Sequence, residues 1–273
     1  MDLLLSLLVG VLVGLHVATW GMYKDAIHEG FTWSTYFRSV LVAPALAVIA
    51  HAFTHFDMTR ASSLFVSFGL VYAMERATVE FYKVFIRDED QSKYFIPMQF
   101  SVFGKVVRDR RVRSLVAAGC VAAVLLVLWG LSWLQQADLG AGGLVITLAI
   151  GSIGGWLAAF GGAWKDAPVE GFETFKFFRS PMIALFWALV LSLFTTNYIF
   201  ITAGGLGYSV ATIETYKTFF FPSKPRGKFA GKPILHPQML QRRKRFVPLY
   251  VGVWVAILVG LGLALIQPRQ GLI

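Results

Sequence analysis

Charge is scarce in this 273-residue chain: Asp, Glu, Lys and Arg together make up 15% of it, where a soluble domain carries about 25%. A chain so short of charge cannot cover itself with polar surface, which excludes an ordinary water-soluble fold and leaves lipid as the outer environment. Cysteine is almost missing. The single Cys120 lies inside an apolar run, so neither a disulfide framework nor a thiolate metal cage is available. Common catalytic signatures are missing too: no H-E-x-x-H, Ser-His-Asp or cysteine-nucleophile pattern is legible. The glycine-rich stretch K-P-R-G-K-F-A-G-K-P lacks the strand and G-K-[ST] of a P-loop. No recognition fold or stacking platform accompanies the bases, which argues against a nucleic-acid partner. Met1 and Asp2 supply no basic region before the first apolar run and no small-residue cleavage site follows it, so that run is expected to remain as a mature helix.

What is present is apolar. Hydrophobic residues make up 56% of the chain, with 24 Phe, 8 Trp and 9 Tyr, and the mean hydropathy is +0.64. Crossing the hydrocarbon takes about 20 residues, and eight runs approach that length: 3–21, 40–56, 62–85, 115–134, 144–163, 181–196, 198–220 and 247–266. The expected fold is therefore an all-α polytopic membrane protein of about eight transmembrane helices.

The chain also repeats itself. A shift of 141 places Gly21, Lys24, Asp25, Ala26, Glu29, Gly30, Phe31, Phe37, Arg38 and Ser39 on Gly162, Lys165, Asp166, Ala167, Glu170, Gly171, Phe172, Phe178, Arg179 and Ser180. A shift of 134 places Ala77, Thr78, Glu80, Tyr82, Lys83 and Phe85 on Ala211, Thr212, Glu214, Tyr216, Lys217 and Phe219. The expected organisation is a first four-helix repeat over 1–134, a linker over 135–143 and a second four-helix repeat over 144–273. Four crossings return the chain to the same side, so the repeats should be parallel, with pseudo-two-fold symmetry along the membrane normal. All Lys and Arg residues but Arg60, Arg76 and Arg269 fall in the loops after the first and third helix of each half. The positive-inside bias then makes those loops cytoplasmic and both termini external, in a plasma (inner) membrane.

In the repeated K-D-A-x-x-E-G-F, Asp25 and Glu29 are four apart and share a helical face, while Gly30 can take a left-handed conformation and end the turn. The motif reads as a short helical stub, a break and an aromatic return. Lys24 and Arg38, like Lys165 and Arg179, could neutralise the acids as interfacial ion pairs. Alternatively, parallel repeats would gather Asp25, Glu29, Asp166 and Glu170 around one axis as oxygen ligands for a hard divalent cation. Glu80 and Glu214 lie near the ends of their third helices with Lys83 and Lys217 three residues on. Acids at such depth point to a pathway, or to an intrahelical pair. Gly10 and Gly14, and Gly151, Gly154, Gly155, Ala158, Ala159, Gly161 and Gly162, form small-residue faces. These suggest that the first helices of the two halves pack on each other and carry the acidic motifs inward. Lys224, Arg226, Lys228, Lys232, Arg242, Arg243, Lys244 and Arg245 occupy a loop with no acid and should contact anionic lipid headgroups. His51 and His55 are spaced i, i+4 and would supply half of a transition-metal site.

These features lead first to a transporter or channel with a charged pathway for a cation or proton near the pseudo-axis. The alternatives are a Mg-dependent intramembrane enzyme acting on a lipid phosphate, and a non-catalytic scaffold subunit joined to a second copy or to a partner membrane subunit. Two acidic motifs on the loops of a pseudo-repeated bundle are distantly similar to intramembrane prenyltransferases, which hold a diphosphate through Mg²⁺. The D-x-x-x-E spacing departs from the denser aspartate arrays of that family, and the chain is not assigned to it.

Overall fold

Residues 1–137, 139–222 and 229–273 are described by the computed structural model. Helix α1 (Asp2–Glu29) is 28 residues long, about 42 Å, and exceeds the hydrocarbon core. It does not stop before the K-D-A-x-x-E motif but carries it as its final turns. Gly30 ends the helix at φ 83°, and Gly171 does the same at φ 85°, positive values that glycine adopts without steric cost. Helix α2 (Trp33–Thr54) starts on Thr32, whose hydroxyl accepts from the Thr35 amide. The aromatic segment before Val40 is thus already helical. A turn held by Asp57 leads to α3 (Ala61–Phe81). There the Thr59 amide and hydroxyl donate to Asp57 Oδ1, which holds that exposed carboxyl below its usual range. One π-helical turn, Tyr82–Ile86, continues α3.

A loop with a two-stranded hairpin, β1 (Ser101–Val102) and β2 (Lys105–Val106), precedes α4 (Arg110–Gln136). Helices α5 (Gly143–Ile150) and α6 (Ile153–Glu170) make one interrupted span. The Thr147 hydroxyl donates back to the Gly143 carbonyl just before the break, a bond that bends helices. Then follow α7 (Thr174–Leu191), α8 (Tyr198–Phe219), the short α9 (Met239–Arg242), a 3₁₀ turn over Arg243–Phe246, and α10 (Val247–Ile266).

Six of these segments are long and apolar enough to cross a membrane: α1, α2, α4, α5 with α6, α7, and α9 through α10. The chain is an integral membrane protein on that ground. Helices α3 and α8 fall outside the six for a physical reason. They pack on each other at the centre, with α2, α7 and α10 around them, so lipid does not require their surfaces to be apolar. Helix α3 accordingly carries Ser62, Ser67 and Glu75 among its buried residues, and α8 carries Thr202, Ser209 and three buried glycines.

Glycine sets the closest approaches. A Cβ on Gly207 would stand 1.9 Å from the Gly69 carbonyl oxygen, so the α3 and α8 backbones touch. Beside this crossing Tyr208 is wholly buried, donates to the Phe65 carbonyl at 2.9 Å, and stacks on both the Phe65 and Trp187 rings. The small-residue faces of α1 and α6 are not turned toward each other as the sequence suggests. A Cβ on Gly14 would meet the Ser39 carbonyl at 2.6 Å, and one on Gly155 would meet Pro181 Cα at 2.4 Å. Each face therefore admits the helix that follows it, α2 or α7, because a short connection makes that helix the antiparallel neighbour. The fourth long helices behave differently: α4 packs on α8, and α10 packs on α3 and α1.

Candidate functional site

The ends of α1, α3 and α8 meet where the basic loops emerge, and their charges interlock. Lys24 on α1 reaches Glu214 on α8 at 2.8 Å, and Lys217 holds the other oxygen of Glu214 at 3.2 Å. Lys165 on α6 lies 3.7 Å from Glu80 on α3, which also pairs with Lys83 at 3.1 Å and with Arg76. Lysine and glutamate are thus exchanged in both directions: the motif lysine of each half engages the third-helix glutamate of the other. One of the two readings of the motif pairs Lys24 and Lys165 with the acids of their own motifs, Asp25 and Glu29 or Asp166 and Glu170. Asp25 still contributes to the field at Lys24, but the direct ion pair is made with Glu214. Both Lys24 and Arg76 lie over the Trp20 ring, at 4.4 and 5.3 Å from its centroid, adding cation–π attraction.

The four motif acids are dispersed. Glu170 pairs with Lys176, while Asp25 and Glu29 line a cavity on the other half. Among the described residues no group of three or more His, Cys, Asp and Glu side chains gathers as a metal site, and His51 and His55 acquire no third ligand of that kind.

That cavity is about 400 Å³, within the usual range of ligand pockets. It follows α1 from Val17 to Glu29, about 18 Å along the helix axis. The start of α2 and the end of α3 form its other walls, and the segment from Arg87 to Met98 covers it. Val17, Ala18 and Met22 are among its apolar lining. Its charged lining consists of Arg38, Arg76, Lys83 and Arg87 with Asp25, Glu29 and Glu89. Thr32 and Thr35, at the positive end of the α2 dipole, line it as well. Three of the four cations have carboxylate partners: Arg76 and Lys83 hold Glu80, and Arg87 holds Glu89 at 2.9 Å. Arg38 has no carboxylate within ion-pair distance among the described residues, and its Nε is buried without a hydrogen-bond partner. Gly21 forms part of the wall, and a Cβ placed there would meet nothing within 4 Å.

Two groups escaped the sequence reading. Glu75 is wholly buried on α3, with Arg76 Nη1 at 3.6 Å from Oε2 and neither oxygen hydrogen-bonded among the described residues. Its signal was the Glu75-Arg76 pair inside an apolar run, where an ionisable residue calls for a partner. His16 is wholly buried and shares the Tyr72 hydroxyl with Trp20 Nε1, at 3.0 and 2.9 Å.

The basic loop serves more than one purpose. Arg243 donates to the carbonyls of Tyr23 and Pro222 and fastens the loop to α1. Arg242 lies over Phe31 at 4.9 Å, and Lys232 over Phe95 at 5.6 Å. Lys244 and Arg245 are exposed. Lys224, Arg226 and Lys228 lie outside the described residues, and Arg179 sits on α7, where its Nε is buried. No protein family, characterised protein or solved structure matches the chain.

Proposed function

We propose that this protein is a membrane carrier for a ligand bearing a phosphate or similar anionic group, which it receives in the cavity between α1, α2 and α3. The observation that carries this reading is Arg38: a partly buried guanidinium with no carboxylate within ion-pair distance among the described residues and a buried Nε without a hydrogen-bond partner, facing a ligand-sized cavity beside a helix N-terminus. Arg76 and Arg87 repel it, Glu75 and Glu80 attract it from beyond ion-pair distance, and an incoming anion supplies a direct partner. A cation pathway fits less well, because Glu80 and Glu214 are each held by two or more bases and the α3–α8 crossing fills the centre.

The carrier is built, in this reading, from two parallel four-helix repeats with eight crossings, and its basic end faces the cytoplasm. The reciprocal pairs Lys24–Glu214 and Lys165–Glu80 support this, as do the matched contacts of Gly14 with Ser39 and of Gly155 with Ser180. Those ion pairs join the two halves beside the cavity, whose lining includes Arg76 and Lys83.

Binding of glycerol 3-phosphate to the protein in membrane vesicles provides the test. Inverted vesicles should bind it and right-side-out vesicles should not. Arg38→Ala should weaken binding by at least about tenfold, since a charge-assisted hydrogen bond is worth more than 1.4 kcal/mol. Equal binding by Arg38→Ala and wild type, with both folded, would remove the basis of the reading.

A further inference from the structure

A second pocket shares no lining residue with the cavity above. Lys24 on α1, Lys217 and Thr218 on α8, and Arg243 before α10 line it, and Ile27, Phe221 and Pro222 complete it. Its volume is about 10 Å³, the space of one water-sized guest, which excludes phosphate and other polyatomic anions by size. No acidic side chain is among the described residues that line it. We infer that this pocket binds one monatomic anion of the halide class, such as chloride. The site stands apart from the larger cavity and does not depend on the reading given to that cavity.

Charge around the pocket is unbalanced. Lys24 and Lys217 share one carboxylate, Glu214, at 2.8 and 3.2 Å. Arg243 directs its Nη groups to the carbonyls of Tyr23 and Pro222 and has no carboxylate within ion-pair distance among the described residues. Asp25 contributes to the field at Lys24, but Lys24 and Arg179 both repel Lys217. A halide entering so small a space leaves its hydration shell, and the site must replace it with N–H and O–H donors. Two such donors lack partners: Thr218 is 4% and Arg243 5% exposed, yet Thr218 Oγ1 and Arg243 Nε have no hydrogen-bond partner among the described residues. A buried polar group left unpaired is costly. A cation is repelled by this lining, and a water leaves the charge unbalanced; a halide answers both needs. The shift of 134 that aligns α3 with α8 places Val84 on Thr218, so the hydroxyl belongs to one half only.

The experiment measures binding of radioactive chloride to the full chain in phosphatidylcholine nanodiscs equilibrated in sodium gluconate, with the uptake of empty nanodiscs subtracted. The wild-type protein should bind chloride saturably. Bromide should displace it, whereas sulfate and glycerol 3-phosphate at equal ionic strength should not. Thr218→Val should weaken chloride binding by at least about tenfold, the worth of a hydrogen bond to a charged group, and Thr218→Ser, which keeps the hydroxyl, should retain most of the affinity. Absence of saturable binding by the wild type would overturn the inference and leave only water for the pocket. Wild-type affinity in Thr218→Val would overturn it too, as would equal losses in Thr218→Val and Thr218→Ser, which would report packing rather than the hydroxyl. Displacement by sulfate would reduce the signal to loose counterions of the basic loop, and displacement by glycerol 3-phosphate would move the halide to the larger cavity; either result overturns the assignment even if no variant can be purified.

Discussion

Arg76 stands between two carboxylates with different needs. Glu80 has Lys83 and Lys165 besides, whereas Glu75 is wholly buried and has Arg76 as its sole cation within ion-pair distance among the described residues. Removing the guanidinium therefore exposes an imbalance that is concentrated on Glu75. Arg76→Ala should destabilise the protein by about 3–5 kcal/mol, the cost of leaving a buried charge uncompensated, and Glu75→Gln added to it should restore most of the loss. Unfolding in detergent checks both variants, and a wild-type melting profile for Arg76→Ala would show that Glu75 needs no counter-charge. At this scale the sequence showed which residues were special but not whom they touch. Lys24, Lys83, Glu80 and Glu214 were legible because they repeat at fixed spacing. The partner of Lys24 was not, because Asp25 is adjacent in sequence while Glu214 is 190 residues away, and spacing along a chain reports only local neighbours.

Between helices, small residues decide which surfaces meet, and the glycines sort into two groups. Those at 10, 14, 69, 155 and 207 have another helix against them, whereas Gly119, Gly130 and Gly252 have open space. Gly207→Ala would place a carbon 1.9 Å from the Gly69 oxygen, which backbone atoms cannot accommodate without the two central helices moving apart. Such overpacking costs about 1–3 kcal/mol, so the variant should melt earlier, while Gly252→Ala, on a face with room for a methyl group, should melt no earlier than the wild type. Equal melting of the two variants would mean that α3 and α8 are not in backbone contact. The helical segments themselves were legible almost throughout, because hydropathy reports lipid exposure. Extra length in α1, α2 and α7 was not, since their charged and aromatic turns lie beyond the apolar run that hydropathy detects. The partners of the glycine faces were hidden for another reason: a small-residue stripe specifies close approach, not the identity of what approaches.

Across the whole molecule, contacts between the two halves recur in matched form at the basic end. Besides the two lysine–glutamate exchanges, the hairpin after α3 receives the Trp164 indole N–H on the Ser101 carbonyl at 3.0 Å. The segment after α8 in turn brings the Leu235 and His236 amides to the Ile27 carbonyl, each at 3.0 Å. The loop of each half thus rests on the motif helix of the other. An internal duplication predicts that like residues have like surroundings, and here the likeness lies in what is exchanged. If those exchanges hold the two halves together, charge rather than packing must be their operative property, and that can be isolated by reversal. Lys24→Glu opposes two negative groups across a distance now spanned at 2.8 Å, and Glu214→Lys opposes Lys24 and Lys217. Each single variant should be destabilised by about 3–5 kcal/mol as a partly buried pair is broken. Lys24→Glu combined with Glu214→Lys restores attraction between α1 and α8 but brings the new lysine beside Lys217, so recovery should be partial, with a favourable coupling of about 1–3 kcal/mol between the two changes. Strictly additive losses would show that no direct ion pair links these helices.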